Sequence, residues 1–186
     1  MTTTQPCKTL IASAALCAAL GASSAFAATM TRAEYGTTKD RVSADYKADK
    51  SACATMSGNQ KDVCQEQAKG KEKVARAELE YSYTGKLSDS NKVAVAKADA
   101  AYAVAKEMCD DQGSNAKDVC VAEAKAAHTM ALADAKMAKK VGDAKMDAAE
   151  DKRDADYKVA TEKCDSLAGD AKAACVSAAK QRFNKS

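Results

Sequence analysis

The 186-residue chain has no tryptophan, two phenylalanines (Phe26 and Phe183), one histidine (His128) and one proline (Pro6). Each scarcity narrows the reading. Ile11 is the only isoleucine, and beyond the first 27 residues leucine is rare, so the 46% apolar content is mostly alanine. Alanine buries little area, and the hydrophobic term scales with area, so the core is expected to be thin and to need another source of stability. A single histidine leaves no His pair for a metal site or a general acid–base couple. With no proline after Pro6, nothing forbids long helices. No G-x-S-x-G, P-loop, G-x-G-x-x-G or H-E-x-x-H pattern occurs, so the expectation is a non-enzyme with no catalytic residues, no cofactor and no metal.

Charge of one sign is also lacking. Without Lys8, 28 basic residues face 26 acidic ones, and the signs alternate along the chain. That balance gives no footprint for nucleic acid and no polybasic membrane patch; it suits solvated helix faces.

The first 27 residues stand apart. Lys8 is their only charge, Thr9–Gly21 is apolar or small, and Ala25-Phe26-Ala27 precedes Ala28. A short basic start, an apolar stretch of about 7–15 residues and an A-x-A site read as a secretory signal peptide cut between Ala27 and Ala28. A membrane span would need about 20 apolar residues. The sequence therefore predicts export to an oxidising space, the bacterial periplasm, with no membrane span after cleavage. Acidic pairs such as Asp110-Asp111 and Glu150-Asp151 read as solvated faces, and Met130, Met137 and Met146 as core or surface filler.

What the remainder does contain is a repeat. Cys53 and Cys64, Cys109 and Cys120, and Cys164 and Cys175 are each 11 apart, and a Tyr precedes each first Cys by seven residues: Tyr46, Tyr102 and Tyr157. A turn signal lies midway in each pair: Gly58-Asn59, Gly113-Ser114-Asn115 and Gly169-Asp170. Residues symmetric about a turn face each other in an antiparallel hairpin. The spacing therefore predicts disulfides Cys53–Cys64, Cys109–Cys120 and Cys164–Cys175, each closing one helical hairpin and each contributing about 3 kcal/mol. A redox catalyst would need Cys-x-x-Cys, and a structural zinc site four ligands at short spacing; neither is present. Gly at a left-handed C′ position and Asn59, Asn115 or Asp170 as the next N-cap complete the expected turns, with Asp62 and Asp118 at N3.

Apolar residues follow a 3–4 spacing, as in Val95, Ala98, Tyr102, Ala105 and Cys109, or Tyr157, Ala160, Cys164 and Leu167, so Tyr and Cys share one helix face and the Tyr is read as packing beside the disulfide. The fold expected is all-α: three tandem antiparallel helical hairpins, each closed by a C-x10-C disulfide, in an extended bundle or coiled-coil-like array. Gly85, within Thr84–Asn91, and Gly142-Asp143 mark boundaries, giving repeats over 28–85, 86–141 and a shortened 142–186 after the 1–27 leader. A rival reading runs unbroken helices over 60–112 and 116–168.

The segments Lys61-Asp62-Val63-Cys64-Gln65-Glu66-Gln67-Ala68-Lys69 and Lys117-Asp118-Val119-Cys120-Val121-Ala122-Glu123-Ala124-Lys125 give the chain a resemblance. It resembles uncharacterised exported Ala/Lys-rich proteobacterial proteins often labelled TolA-like or cell envelope biogenesis proteins. The likeness to true TolA is compositional. True TolA has a retained membrane anchor and a globular C-terminal domain, and this sequence reads as having neither, so the resemblance implies an envelope setting and transfers no functional residues. The expected role is a structural or interaction protein whose stapled hairpins act as a spacer or binding surface for envelope or periplasmic proteins. The alternative is a stress-response holdase.

Overall fold

The computed structural model describes residues 30–186; the leader and its expected cut at Ala27 and Ala28 lie outside the described residues. Five α-helices follow one another: α1 Arg32–Cys53, α2 Gly58–Thr84, α3 Leu87–Met108, α4 Ser114–Cys164 and α5 Gly169–Arg182. A single 3-10 turn, Cys109–Asp111, joins α3 to α4, and no strand occurs among the described residues. The all-α, hairpin-built fold is as the sequence spacing implied, because alanine, lysine, glutamate and methionine all favour helix and no proline interrupts them.

Each helix packs along its neighbours in sequence: α1 on α2, α2 on α3, α3 on α4, and α4 on α5. Neither α1 with α3 nor α2 with α4 forms a packing seam, so α1–α4 lie side by side in one layer instead of closing around a central core. This arrangement explains the scarcity of buried side chains. The buried apolar set is small: Val42, Cys53, Ala68, Leu79, Ala98, Cys109, Ala124, Ala135, Cys164 and Ala179.

That set is itself the repeat. Cys53, Cys109 and Cys164 are the least exposed side chains, and the alanine four residues after each second cysteine (Ala68, Ala124, Ala179) is buried in every hairpin. Small residues let the helices approach closely. A Cβ placed on Gly70 of α2 would sit 2.7 Å from Ala100 Cβ of α3.

The expected boundary near Gly85 is a real turn. Gly85 takes φ 64°, the left-handed conformation that ends α2, and its N–H donates to the Tyr81 carbonyl. The expected break near Gly142 is not there: α4 continues through it for 51 residues, about 76 Å. Gly142 instead accommodates Leu87 from the first turn of α3, whose Cδ2 takes the space where a Cβ would stand. The glycine serves a helix contact, not a helix end. Of the two unbroken helices in the rival reading, the chain therefore breaks the first and keeps the second.

The turns depart from expectation in detail. The residues at positive φ are Gly58 (58°), Ser114 (50°) and Gly169 (56°), so in the middle hairpin a serine, not Gly113, takes the left-handed position. The N-caps are Ser57, Gly113 and Ala168, none with a side-chain cap bond, rather than Asn59, Asn115 and Asp170. Asn59 is used elsewhere: its Nδ2 donates to the Glu107 carbonyl at 2.8 Å, tying the start of α2 to the end of α3. The helix with a full capping box is α1, where Thr31 accepts from the Glu34 N–H and Glu34 accepts from the Thr31 N–H.

Candidate interaction faces and the stapled turns

The three bridges are Cys53–Cys64, Cys109–Cys120 and Cys164–Cys175, with Cα–Cα separations of 5.6, 5.7 and 5.7 Å. These separations lie within the usual range for a disulfide, so each bend is closed without drawing the helices together. All six cysteines of the described residues are thereby consumed.

Two helical turns from each bridge, the repeated tyrosine meets the opposing helix. Tyr102 stacks on His128 of α4, with centroids 4.7 Å apart and planes at 14°. Tyr157 meets Phe183 edge-on at 6.2 Å. Tyr46 and Glu72 line a small cleft between α1 and α2. Glu72, His128 and Phe183 occupy the same place in successive repeats. Tyr102 and Tyr157 therefore pack across their hairpins, as expected, and their partners are set by the repeat register. His128 is half-buried, and its Nε2 lies 2.7 Å from Asp99 Oδ1. Among the described residues no group of three or more His, Cys, Asp or Glu is placed to hold a metal ion.

The α2–α3 bend has no disulfide. It is held by Asp89, a buried carboxylate of α3. Lys92 Nζ donates to Asp89 Oδ1 at 2.8 Å and the Thr84 hydroxyl donates to Oδ2. These two donors, Lys92 foremost, hold the Asp89 carboxyl below its ordinary pKa. At the open ends of α1 and α2, Tyr35 stacks obliquely on Tyr83 at 4.8 Å, and its hydroxyl donates to Glu80 at 3.0 Å. That bond, to a carboxylate that favours the protonated phenol, raises the Tyr35 pKa.

Along the α2–α3 seam runs an open apolar cleft of about 580 Å³. Val74 and Ala75 of α2 and Ala101, Val104 and Met108 of α3 line it, with Lys71 and Glu78 contributing charge. Its cause is the close approach at Gly70 and Ala100: where the seam is made of small residues and no third described helix covers it, the flanking valines stand over an open channel. The 3–4 spacing marks one face of α3 for packing, through Ala98, Tyr102 and Cys109, and does not mark this second face. Its signal is the Ala100, Val104, Met108 spacing of four. Leu167, expected in the packing stripe, falls in the turn after α4 and is 43% exposed. Met130, Met137 and Met146 are surface residues, none in the core.

No described helix is long and apolar enough to cross a membrane. Comparison with protein-family models, with curated proteins and with solved structures returns no match to this chain.

Proposed function

We propose that this chain is a non-enzymatic structural or interaction protein of the bacterial cell envelope, resident in the periplasm, whose stapled hairpins form a spacer and a binding surface. The observation that carries this reading is the repetition itself. One layer of half-cystine, buried alanine and cross-hairpin side chain recurs three times, and those side chains fix a hairpin instead of performing chemistry. Three disulfides point to an oxidising compartment. The apolar leader ending in Ala25-Phe26-Ala27 and the resemblance to exported TolA-like proteins support the envelope setting. The α2–α3 cleft, apolar and flanked by charge, suits an amphipathic partner helix.

Cross-linking in periplasmic extract, with disulfides kept intact, tests it. The expected result is a protein partner captured by the oxidised chain and lost with Val104→Glu, which puts a charge in the cleft. Equal capture by both chains, or none by either, removes the binding-surface reading. A second reading, a holdase for unfolded chains, is favoured by the exposure of Met108, Met130, Met137 and Met146, flexible side chains suited to varied apolar surfaces. Light scattering of a denatured client decides it: no suppression at several-fold molar excess excludes the holdase.

A further inference from the structure

α4 is the edge of the helix layer. α3 and, further along, α5 lie against one side of it, through Ala124, His128 and Ala135 and then Tyr157. Roughly 150° around the helix, at 100° per residue, no described helix lies against the opposite side. That side is apolar. Val119, Met130 and Val141 recur every 11 residues, and Ala126, Met137, Ala148 and Val159 do the same. All seven are exposed, Met130 at 62% and Met137 at 61%. A period of 11 over three turns is about 3.67 residues per turn, close to that of a straight helix, so the stripe keeps to one face. From Val119 to Val159 it runs about 60 Å.

The charges beside the stripe reverse along it. On one flank, Glu123 and Asp134 precede Lys145 and Lys152, with Asp156 beyond them. On the other, the order is Asp118, Lys125, Lys136, Lys140, Asp147, Asp151 and Lys158, with the bases gathered near the middle.

We propose that the outer face of α4 is a self-association surface, on which the α4 of a second copy lies antiparallel about a two-fold axis near Ala138. In that register Asp134 meets Lys145 of the second copy, and Glu123 meets its Lys152. On the other flank Asp118 meets its Lys158 and Lys125 its Asp151. Near the axis Lys136 meets Lys140 of the second copy, and toward the ends Asp156 comes close to its Glu123; these like-charge pairs offset part of this gain. Every contact occurs twice, as an isologous dimer requires. The area suffices: a strip about 60 Å long and 10 Å wide buries about 1,200 Å² in total, the lower end for specific interfaces. Ala144 and Ala148, on the stripe side of α4 and exposed where neither α3 nor α5 reaches, would gain cover from the other copy's α4, itself backed by α3. This surface is distinct from the α2–α3 cleft, and the inference does not rest on the envelope reading.

Sedimentation equilibrium of the exported, oxidised protein tests it. The expected result is a monomer–dimer equilibrium with its midpoint at about 1–100 μM. Met130→Asp with Met137→Asp gives monomer, whereas Met146→Asp, equally exposed but on the opposite side, leaves the dimer intact. Asp134→Lys weakens the dimer about tenfold, and Asp134→Lys with Lys145→Asp restores it. The charge-swap residues are exposed on the monomer, so their effect does not depend on folding. A wild-type chain that stays monomeric above 100 μM, a Met146→Asp chain that dissociates as fully as the stripe variant, or a double swap no tighter than the single one would each overturn the proposal.

Discussion

Replacing Cys109 and Cys120 together by alanine is expected to cost about 3 kcal/mol. The bridge spans a sequence separation of 11, and closing a loop of that size removes nearly that much chain entropy from the unfolded state at 25 °C. Cys109 is also fully buried, so its lost sulfur adds to the cost. The three bridges have equal separations, so reducing all of them removes roughly 8–9 kcal/mol. Small domains have only about 5–15 kcal/mol in total. An alanine-built layer belongs at the low end of that range, so the fully reduced chain is expected to lose its cooperative fold. Urea denaturation followed by circular dichroism at 222 nm measures both effects. The double alanine variant shifts the midpoint down without abolishing the transition, and reducing agent abolishes it. A reduced chain that keeps a cooperative transition near the oxidised midpoint would refute the claim that the bridges stand in for the core.

Gly70→Ala is expected to destabilise by about 1–2 kcal/mol, although alanine is the better helix former, because its Cβ would meet Ala100 Cβ at 2.7 Å across the α2–α3 seam; the same urea transitions report the sign. Ser114→Gly is expected to stabilise by about 1 kcal/mol, since it relieves a left-handed residue at φ 50°, and a raised midpoint in denaturant checks it. Asp89 has a folded pKa below its unfolded value, so its contribution is complete above the ordinary carboxylate pKa and is lost as pH falls through the lowered one. Asp89→Asn is therefore expected to lower stability at pH 7 and to flatten the acid limb of a stability–pH profile. Hydrogen exchange is expected to be fastest at Gly85–Lys86 and over 144–153, and slowest beside the three disulfides, where opening works against a covalent link.

The disulfides were legible in the sequence because each cysteine pair is symmetric about its turn, and hairpin symmetry alone selects the pairing. The turn at Gly85 was legible from the cluster Thr84–Asn91. Gly142 was misread because a glycine beside an aspartate looks like a helix stop, whereas the residue that explains it, Leu87, lies 55 positions upstream. Local pattern carries no record of that contact. The caps were displaced by two residues because Ser114 tolerates a left-handed conformation that the sequence reading reserved for glycine, and because the Asn59 amide is drawn to the Glu107 carbonyl. The lateral order of helices was out of reach for a further reason. Alanine lies on more than one side of α3, so periodicity shows that a face is apolar without saying which neighbour takes it. The apolar cleft was missed with it, since a cleft belongs to two helices and appears in the pattern of neither.

The placement of the bridges connects stability to surface. Along the row, the α1–α2 and α3–α4 bends lie at the same end, and the Asn59–Glu107 bond ties them there. The α2–α3 bend lies at the other end and has only the Thr84–Asp89–Lys92 clasp. Two covalently closed pairs are thus joined along a seam with no covalent closure, and that seam carries the cleft lined by Val74 and Val104. A layer of helices cannot bury both of its faces, so its stability has to come from its ends. Disulfides at the ends leave the faces free of the demand for large apolar side chains. What remains apolar on a face, the α2–α3 cleft, and on the edge, the outer stripe of α4, is more than the folding of one copy uses, and it is there that contacts with other chains are expected.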